Sequence, residues 1–265
     1  MTRTTLLSSL ALTTSLVLAL AVGMTAAHIA RAQETELSAL EAAADAAPRD
    51  YAAARAHGMA LLRAGHYREA RRALDRAVHL APRGSLEARF DVARVAIAEG
   101  DHRAAQSACR ALSRLEKRAV LTLVCNARAD LVWNRAARAF EEIDEALAIE
   151  GSSYEALFAL GEAHRLRASV ADAESAYGRA STAAPASAEP HLGLGRLYAA
   201  AGRRDEAVTS LRRALALDAT SPDVQYELGR LLGGTSEALE LLSRAVAGRP
   251  SWAEAQVAVG EARLA

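Results

Sequence analysis

Aromatic residues make up only 4% of this 265-residue chain, although 51% of it is apolar, so the interior has to be built from Ala, Leu and Val. That composition suits closely stacked helices. Net charge of either sign is missing as well: 32 basic residues balance 32 acidic ones, and the two signs are interspersed. The basic footprint expected of a nucleic-acid-binding protein is therefore absent, and that class is set aside. No phosphate-binding Gly-rich loop followed by Lys-Ser/Thr occurs, and no Gly-x-Ser-x-Gly elbow. The seven histidines fall at unrelated places without the paired spacing of a metalloprotease helix. The reading is of a non-enzyme with no cofactor and no metal site.

Charge is also missing locally. Between Arg3 and Arg31 there is no Asp, Glu, Lys or Arg, and Leu16 to Val22 forms an apolar centre behind a basic start. This is the form of an export signal, with Ala30-Arg31-Ala32 and Thr25-Ala26-Ala27 as cleavage sites. The stretch also reaches the ~20 residues a membrane span needs, so an uncleaved anchor is the competing form. Residues 1–32 are expected to be a signal peptide or membrane anchor helix, which places the rest outside the cytoplasm: exported, and periplasmic or anchored to the inner membrane facing the periplasm. Any membrane contact would run through this segment alone.

What the chain does have is a repeat. Residues 188–221 read AEPHLGLGRLYAAAGRRDEAVTSLRRALALDATS. His191, Leu194, Gly195 and Tyr198 are spaced by three and four, which puts them on one face of a helix. Ala207, Leu211, Ala214 and Leu215 do the same for a second helix, with a turn at Gly202. The small side chains of Gly195 and Ala207 are expected to let the two axes approach. Similar units start at 51, 86, 120, 154, 188 and 222, the last five spaced by 34, and a half-unit follows from Ala253. Residues 33–50 read as a capping helix in which Leu40, Ala43 and Pro48 occupy second-helix places.

The 34-residue period, with Leu194-Gly195, Tyr198, Gly202, Ala207 and Ala214, resembles the tetratricopeptide repeat. The resemblance covers essentially everything after residue 33, with the copy at 120 the most degenerate. It implies an all-α, right-handed superhelical solenoid of antiparallel helix pairs over 51–265, whose concave wall is lined by the first helix of each pair. It also implies a protein or peptide segment as the partner held in that groove.

By the same resemblance, the fifth place of each unit faces the groove and holds Arg55, Phe90, Val124, Phe158, Leu192 and Tyr226. The ninth holds Met59, Arg94, Arg128, Glu162, Arg196 and Arg230. Phe90, Phe158, Leu192 and Tyr226 are the expected apolar anchors for an extended or helical segment, and Arg94, Arg128, Arg196 and Arg230 would orient its carboxylates. The alternative is local pairing, Asp91 with Arg94 and Glu227 with Arg230, as ordinary helix-surface neighbours. The Lys and Asn residues of the family's carboxylate-clamp members are absent from these places. Cys109 and Cys125 fall in helices expected to pack together, either bridged in an oxidising compartment or as two buried thiols.

The functional expectation is an exported or membrane-tethered scaffold for protein–protein interaction in cell-envelope assembly or secretion. The alternatives are a structural protein that self-associates through its C-terminal helix, and a non-catalytic accessory subunit of an envelope enzyme.

Overall fold

The computed structural model describes residues 35–264, so the expected signal or anchor at 1–32 lies outside the described residues. Helices follow one another without a strand among those residues: α1 over 35–46, then α2 Tyr51–Arg63, α3 Tyr67–Leu80, α4 Leu86–Glu99, α5 His102–Leu115, α6 Val120–Val132 and α7 Ala136–Ile149. The series continues with α8 Tyr154–Leu166, α9 Val170–Ala183, α10 Glu189–Ala200, α11 Arg204–Leu217, α12 Pro222–Leu232, α13 Ser236–Gly248 and α14 Ala253–Leu264. Six antiparallel pairs, α2/α3 to α12/α13, stack side by side into a right-handed superhelical solenoid. Among the described residues no helix is long and apolar enough to cross a membrane.

Local chemistry sets where these helices begin. The Asp50 carboxylate accepts from the backbone N–H of Ala52 at 2.8 Å, Asp101 from Ala104 at 3.0 Å and the Thr235 hydroxyl from Ala238 at 3.1 Å. Each satisfies a donor that the first helical turn leaves without a partner. Pro190 and Pro222 sit in the first turn of α10 and α12, where a missing N–H costs nothing.

The second helix of every pair except α4/α5 turns one small-large-small triad inward. Ala70, Leu74 and Ala77 in α3 are repeated as Ala139, Ile143 and Ala146 in α7, Ala173, Tyr177 and Ala180 in α9, and Ala207, Leu211 and Ala214 in α11. The central large residue is buried in each copy, worth roughly 1.5–3 kcal/mol apiece. It packs on the small residue of the first helix. A Cβ added to Gly195 would lie 2.5 Å from Leu211 Cγ, and one added to Gly161 would lie 2.5 Å from Tyr177 Cδ1. The close approach expected between Gly195 and Ala207 is thus made by Gly195 and Leu211. In α5 the irregular Leu112 is itself fully buried beside Cys109.

At the N-terminal end, α1 lays Leu37 on the cluster of Leu61, Leu74 and Val95. Ala44 is the buried alanine of this helix and Ala43 is exposed, one position from the expected register. Arg76 Nη2 donates to the Ala44 carbonyl at 2.9 Å and ties α1 to α3.

The superhelix winds tightly enough for its ends to meet. A Cβ built on Gly65, in the α2/α3 turn, would sit 3.1 Å from Pro222 Cγ at the start of α12. One built on Gly248, at the end of α13, would lie 2.9 Å from the same atom and 3.7 Å from the Ala64 carbonyl oxygen. The Arg249 guanidinium stands 5.2 Å above the Tyr67 ring. The first pair therefore touches the sixth, and the concave wall encloses a lumen.

Candidate functional site

The structure separates the expected groove residues, the fifth and ninth places of the first helices, into four groups. Phe90 is 2% exposed within the core cluster around Cys109 and Val124, so it presents no surface to a partner. Burial between α4, α5 and α6 takes it out of the groove.

The second group closes the lumen with its own charges. Arg94 Nη2 reaches both carboxylate oxygens of Glu189 at 3.4 Å, a contact between the second and fifth pairs. Glu189 also accepts from the Tyr154 hydroxyl at 2.6 Å. Burial would push the Glu189 carboxyl up, but Arg94 and Arg128, with the Tyr154 hydroxyl, hold it below the usual carboxylate range. Arg196 donates to Asp223 at 3.0 Å and to Glu227 at 2.8 Å, and Asp223 is also paired with Arg249. Glu162, the one acid in the arginine row, is held by Arg165 at 2.7 Å and by the Tyr177 hydroxyl. Asp91 does not pair with Arg94 of its own helix; it accepts from Arg55 Nε of the preceding pair at 2.5 Å. Glu227 reaches both Arg196 and, at 3.6 Å, Arg230.

These contacts decide what can enter. An α-helix with its side chains is about 10–12 Å across. Side chains that meet at 3.4 Å from opposite walls exclude a helical ligand from this closed form, so only something narrower fits.

Arg128, Phe158 and Leu192 make a third arrangement. The Arg128 guanidinium lies 5.4 Å over the Phe158 ring and has no hydrogen bond or ion pair among the described residues. Burial pushes its pKa down. It lines a cavity of about 400 Å³ together with Phe158 and Leu192, and an adjoining one of about 290 Å³ with Met59 and Leu217.

Tyr226 and Arg230 sit apart, at the C-terminal end of the stripe. The Tyr226 ring is 4.4 Å from Trp252, Arg230 lies 5.7 Å over Tyr226, and Arg249 lies 4.1 Å over Trp252. Arg230 is exposed and borders a cavity of about 160 Å³ between α12, α13 and α14. The spacing of Trp252 in the sequence carries no sign that it stacks on Tyr226.

Cys109 and Cys125 are joined as a disulfide, with Cα atoms 5.4 Å apart, stapling α5 to α6. Among the described residues no group of His, Cys, Asp and Glu could hold a metal ion.

Residues 195–234 match the family described as TPR repeat. No curated protein gives a match. Among solved structures, a thermophilic TPR protein of Thermus thermophilus aligns over 68% of this chain and 100% of its own, at 24% identity and a TM-score of 0.59. A tetratricopeptide repeat protein from Parabacteroides merdae aligns over 87% of this chain and 92% of its own, at 14% identity and a TM-score of 0.57. A chain of the APC/C hetero-tetramer Cut9-Hcn1 aligns over 89% of this chain at 19% identity and a TM-score of 0.57; this chain spans 48% of that one. Residues 195–234 thus carry the repeat sequence, and the described chain has the helix-pair fold of these TPR structures.

Proposed function

We propose that the chain is a non-catalytic protein-interaction scaffold that works outside the cytoplasm, in assembly or secretion at a bacterial-type cell envelope. A partner segment docks at the C-terminal end of the concave stripe, on Tyr226, Arg230 and Trp252. The observation that carries this reading is the cluster of half-buried Tyr226 and Trp252 with exposed Arg230, next to a small cavity that Arg230 borders. Tyr, Trp and Arg are the residue types over-represented at the energetic centres of interfaces. One structural neighbour belongs to a hetero-tetramer, an assembly of protein chains, which supports an interaction role. The Cys109–Cys125 bond supports an oxidising compartment.

The test is a crosslinked pull-down from whole envelope with the wild-type chain, a Tyr226→Ala/Arg230→Ala variant and a Trp133→Ala control. Trp133 is exposed and lies on the turn edge of the array. A partner kept by the control and lost by the double variant is the expected result. Equal recovery by all three moves the site elsewhere. The second reading, two copies stacking through α14, draws on exposed Val257 and Leu264. A mass in sedimentation equilibrium that rises with protein concentration would favour it.

A further inference from the structure

The lumen and the C-terminal cluster are separate features, and the lumen holds an arginine with no partner. Five arginines line its two cavities, and Arg63 is the exposed one. Arg94 has Glu189, Arg165 has Glu162, and Arg196 has Asp223 and Glu227. Arg128 has the face of Phe158 and no anion in contact among the described residues. Glu189 is the acid whose field it feels most, but the Glu189 oxygens are taken by Arg94 and the Tyr154 hydroxyl. A cation removed from water costs free energy unless an anion or several hydrogen bonds compensate it.

The space beside Arg128 is shaped for a ligand. The cavity of about 400 Å³ has Phe158, Leu131, Val132 and Leu192 among its walls and Arg128 at its side. That volume and that mixture, apolar walls with a few fixed polar groups, fall within the ~300–1,000 Å³ range of small-molecule sites. The second cavity, of about 290 Å³, shares Arg128, Tyr67, Glu189 and Leu192 with the first, so the two adjoin as one partly open space. The Arg94–Glu189 contact crosses it. A continuous polypeptide would have to displace that contact. A compact ligand does not.

We infer that the lumen is a binding site for a small organic monocarboxylate, its carboxylate paired with Arg128 and its short apolar body lying on Phe158, Leu131 and Leu192. The guanidinium offers the planar pair of N–H donors that a carboxylate accepts in parallel. The acids around the lumen limit the ligand to a single charge, because a second carboxylate would face Glu162, Glu189 or Asp223.

Titration calorimetry of the full chain with phenylpropionate, against its uncharged amide, tests the site. Saturable binding of the acid with Kd below about 1 mM is expected, and at least tenfold weaker binding of the amide. Arg128→Met should abolish acid binding, Arg128→Lys should restore part of it, and Arg110→Ala, at an exposed arginine of α5, should leave it unchanged. The acid-versus-amide comparison needs no substitution, so it stands even if Arg128→Met unfolds. Equal binding of acid and amide, no saturation by either, or full affinity in a folded Arg128→Met variant would overturn the assignment. A blocked, extended hexapeptide with one Glu gives the other source of a carboxylate. Binding of that peptide without binding of the free acid also overturns it.

Discussion

Arg94 and Glu189 stand 95 residues apart in the chain and meet at 3.4 Å across the lumen. Their contact, with the Tyr154 hydroxyl on the same carboxylate, ties the second and fourth pairs to the fifth. Glu189→Gln keeps the shape but removes the charge that Arg94 pairs with. At pH 7 the loss is expected to be ~1–3 kcal/mol, read from urea unfolding. Because the folded-state pKa of Glu189 is depressed, its contribution is present above the unfolded carboxylate range and fades as pH falls through the folded value. The variant and the wild type should therefore converge in acid. Equal midpoints at pH 7 would show that the pair is idle.

The turn inside each pair places one residue in the left-handed region. Gly65, Gly100 and Gly202 hold φ values of 79°, 74° and 75°, and the equivalent places in the third and fourth pairs are Asn134 at 56° and Ala168 at 54°. Asn tolerates this conformation. Ala does not, and the crowding of its Cβ costs ~1–2 kcal/mol. Ala168→Gly is expected to stabilise the chain by about 0.5–1 kcal/mol after the added unfolded-state entropy is subtracted. A lowered melting temperature would contradict this.

These two cases show what the sequence could and could not disclose. The hairpin turn at Gly202 and the buried triad Ala207, Leu211 and Ala214 are legible because they depend on residues a few places apart. The 34-residue spacing carries the same turn to Asn134 and Ala168, where the residue type no longer announces the backbone angle. Asp91 was legible as a charge near Arg94, but it pairs with Arg55, because first helices of consecutive pairs lie side by side in the stack. Closure of the ring was not legible at all. Gly65 and Pro222 meet because a small rotation between neighbouring pairs accumulates over five interfaces, and no single repeat encodes that sum.

The disulfide closes a loop with a sequence separation of 16. A cross-link over that length removes chain entropy worth ~3 kcal/mol from the unfolded state. Cys109→Ala/Cys125→Ala, or reduction with dithiothreitol, should lower the melting temperature of the array. The effect should centre on α5 and α6, as faster amide exchange there than in α11. An unchanged melting temperature on reduction would mean the bond adds nothing to the packing of Val124 and Ile143 around it.

Glu142 is a second carboxyl out of its ordinary range. Burial pushes it up to about 7; Asp130 adds to the rise and Arg138 opposes it. One of its oxygens, Oε2, is buried without a hydrogen bond among the described residues. A raised folded-state pKa means that the folded chain holds the proton more tightly than the unfolded one. Stability should therefore fall as pH rises from the ordinary carboxylate range to about 7. Glu142→Gln should be near neutral at pH 4 and stabilising at pH 8, on the order of 1–2 kcal/mol once solvent screening is allowed for. A constant difference across that range would exclude titration of Glu142 as the cause.

The meeting of first and sixth pairs rests on Arg249, which pairs with Asp223, lies 5.2 Å over Tyr67 and 4.1 Å over Trp252. Its removal leaves Asp223 with a partner, because Arg196 holds the other carboxylate oxygen at 3.0 Å. Arg249→Ala is therefore a clean break of the closing contact, costing ~1–2 kcal/mol through the lost cation–π contacts and ion pair. What remains at the seam is Pro222 against Gly65 with Gly248 beside Ala64, a small patch without directional bonds. The ring should open: the radius of gyration from small-angle scattering should rise while helical circular dichroism stays unchanged, and Arg230→Ala should do neither. Unchanged scattering from a folded Arg249→Ala variant would mean that stacking between successive pairs alone sets the curvature, and that the lumen stays closed without its seam.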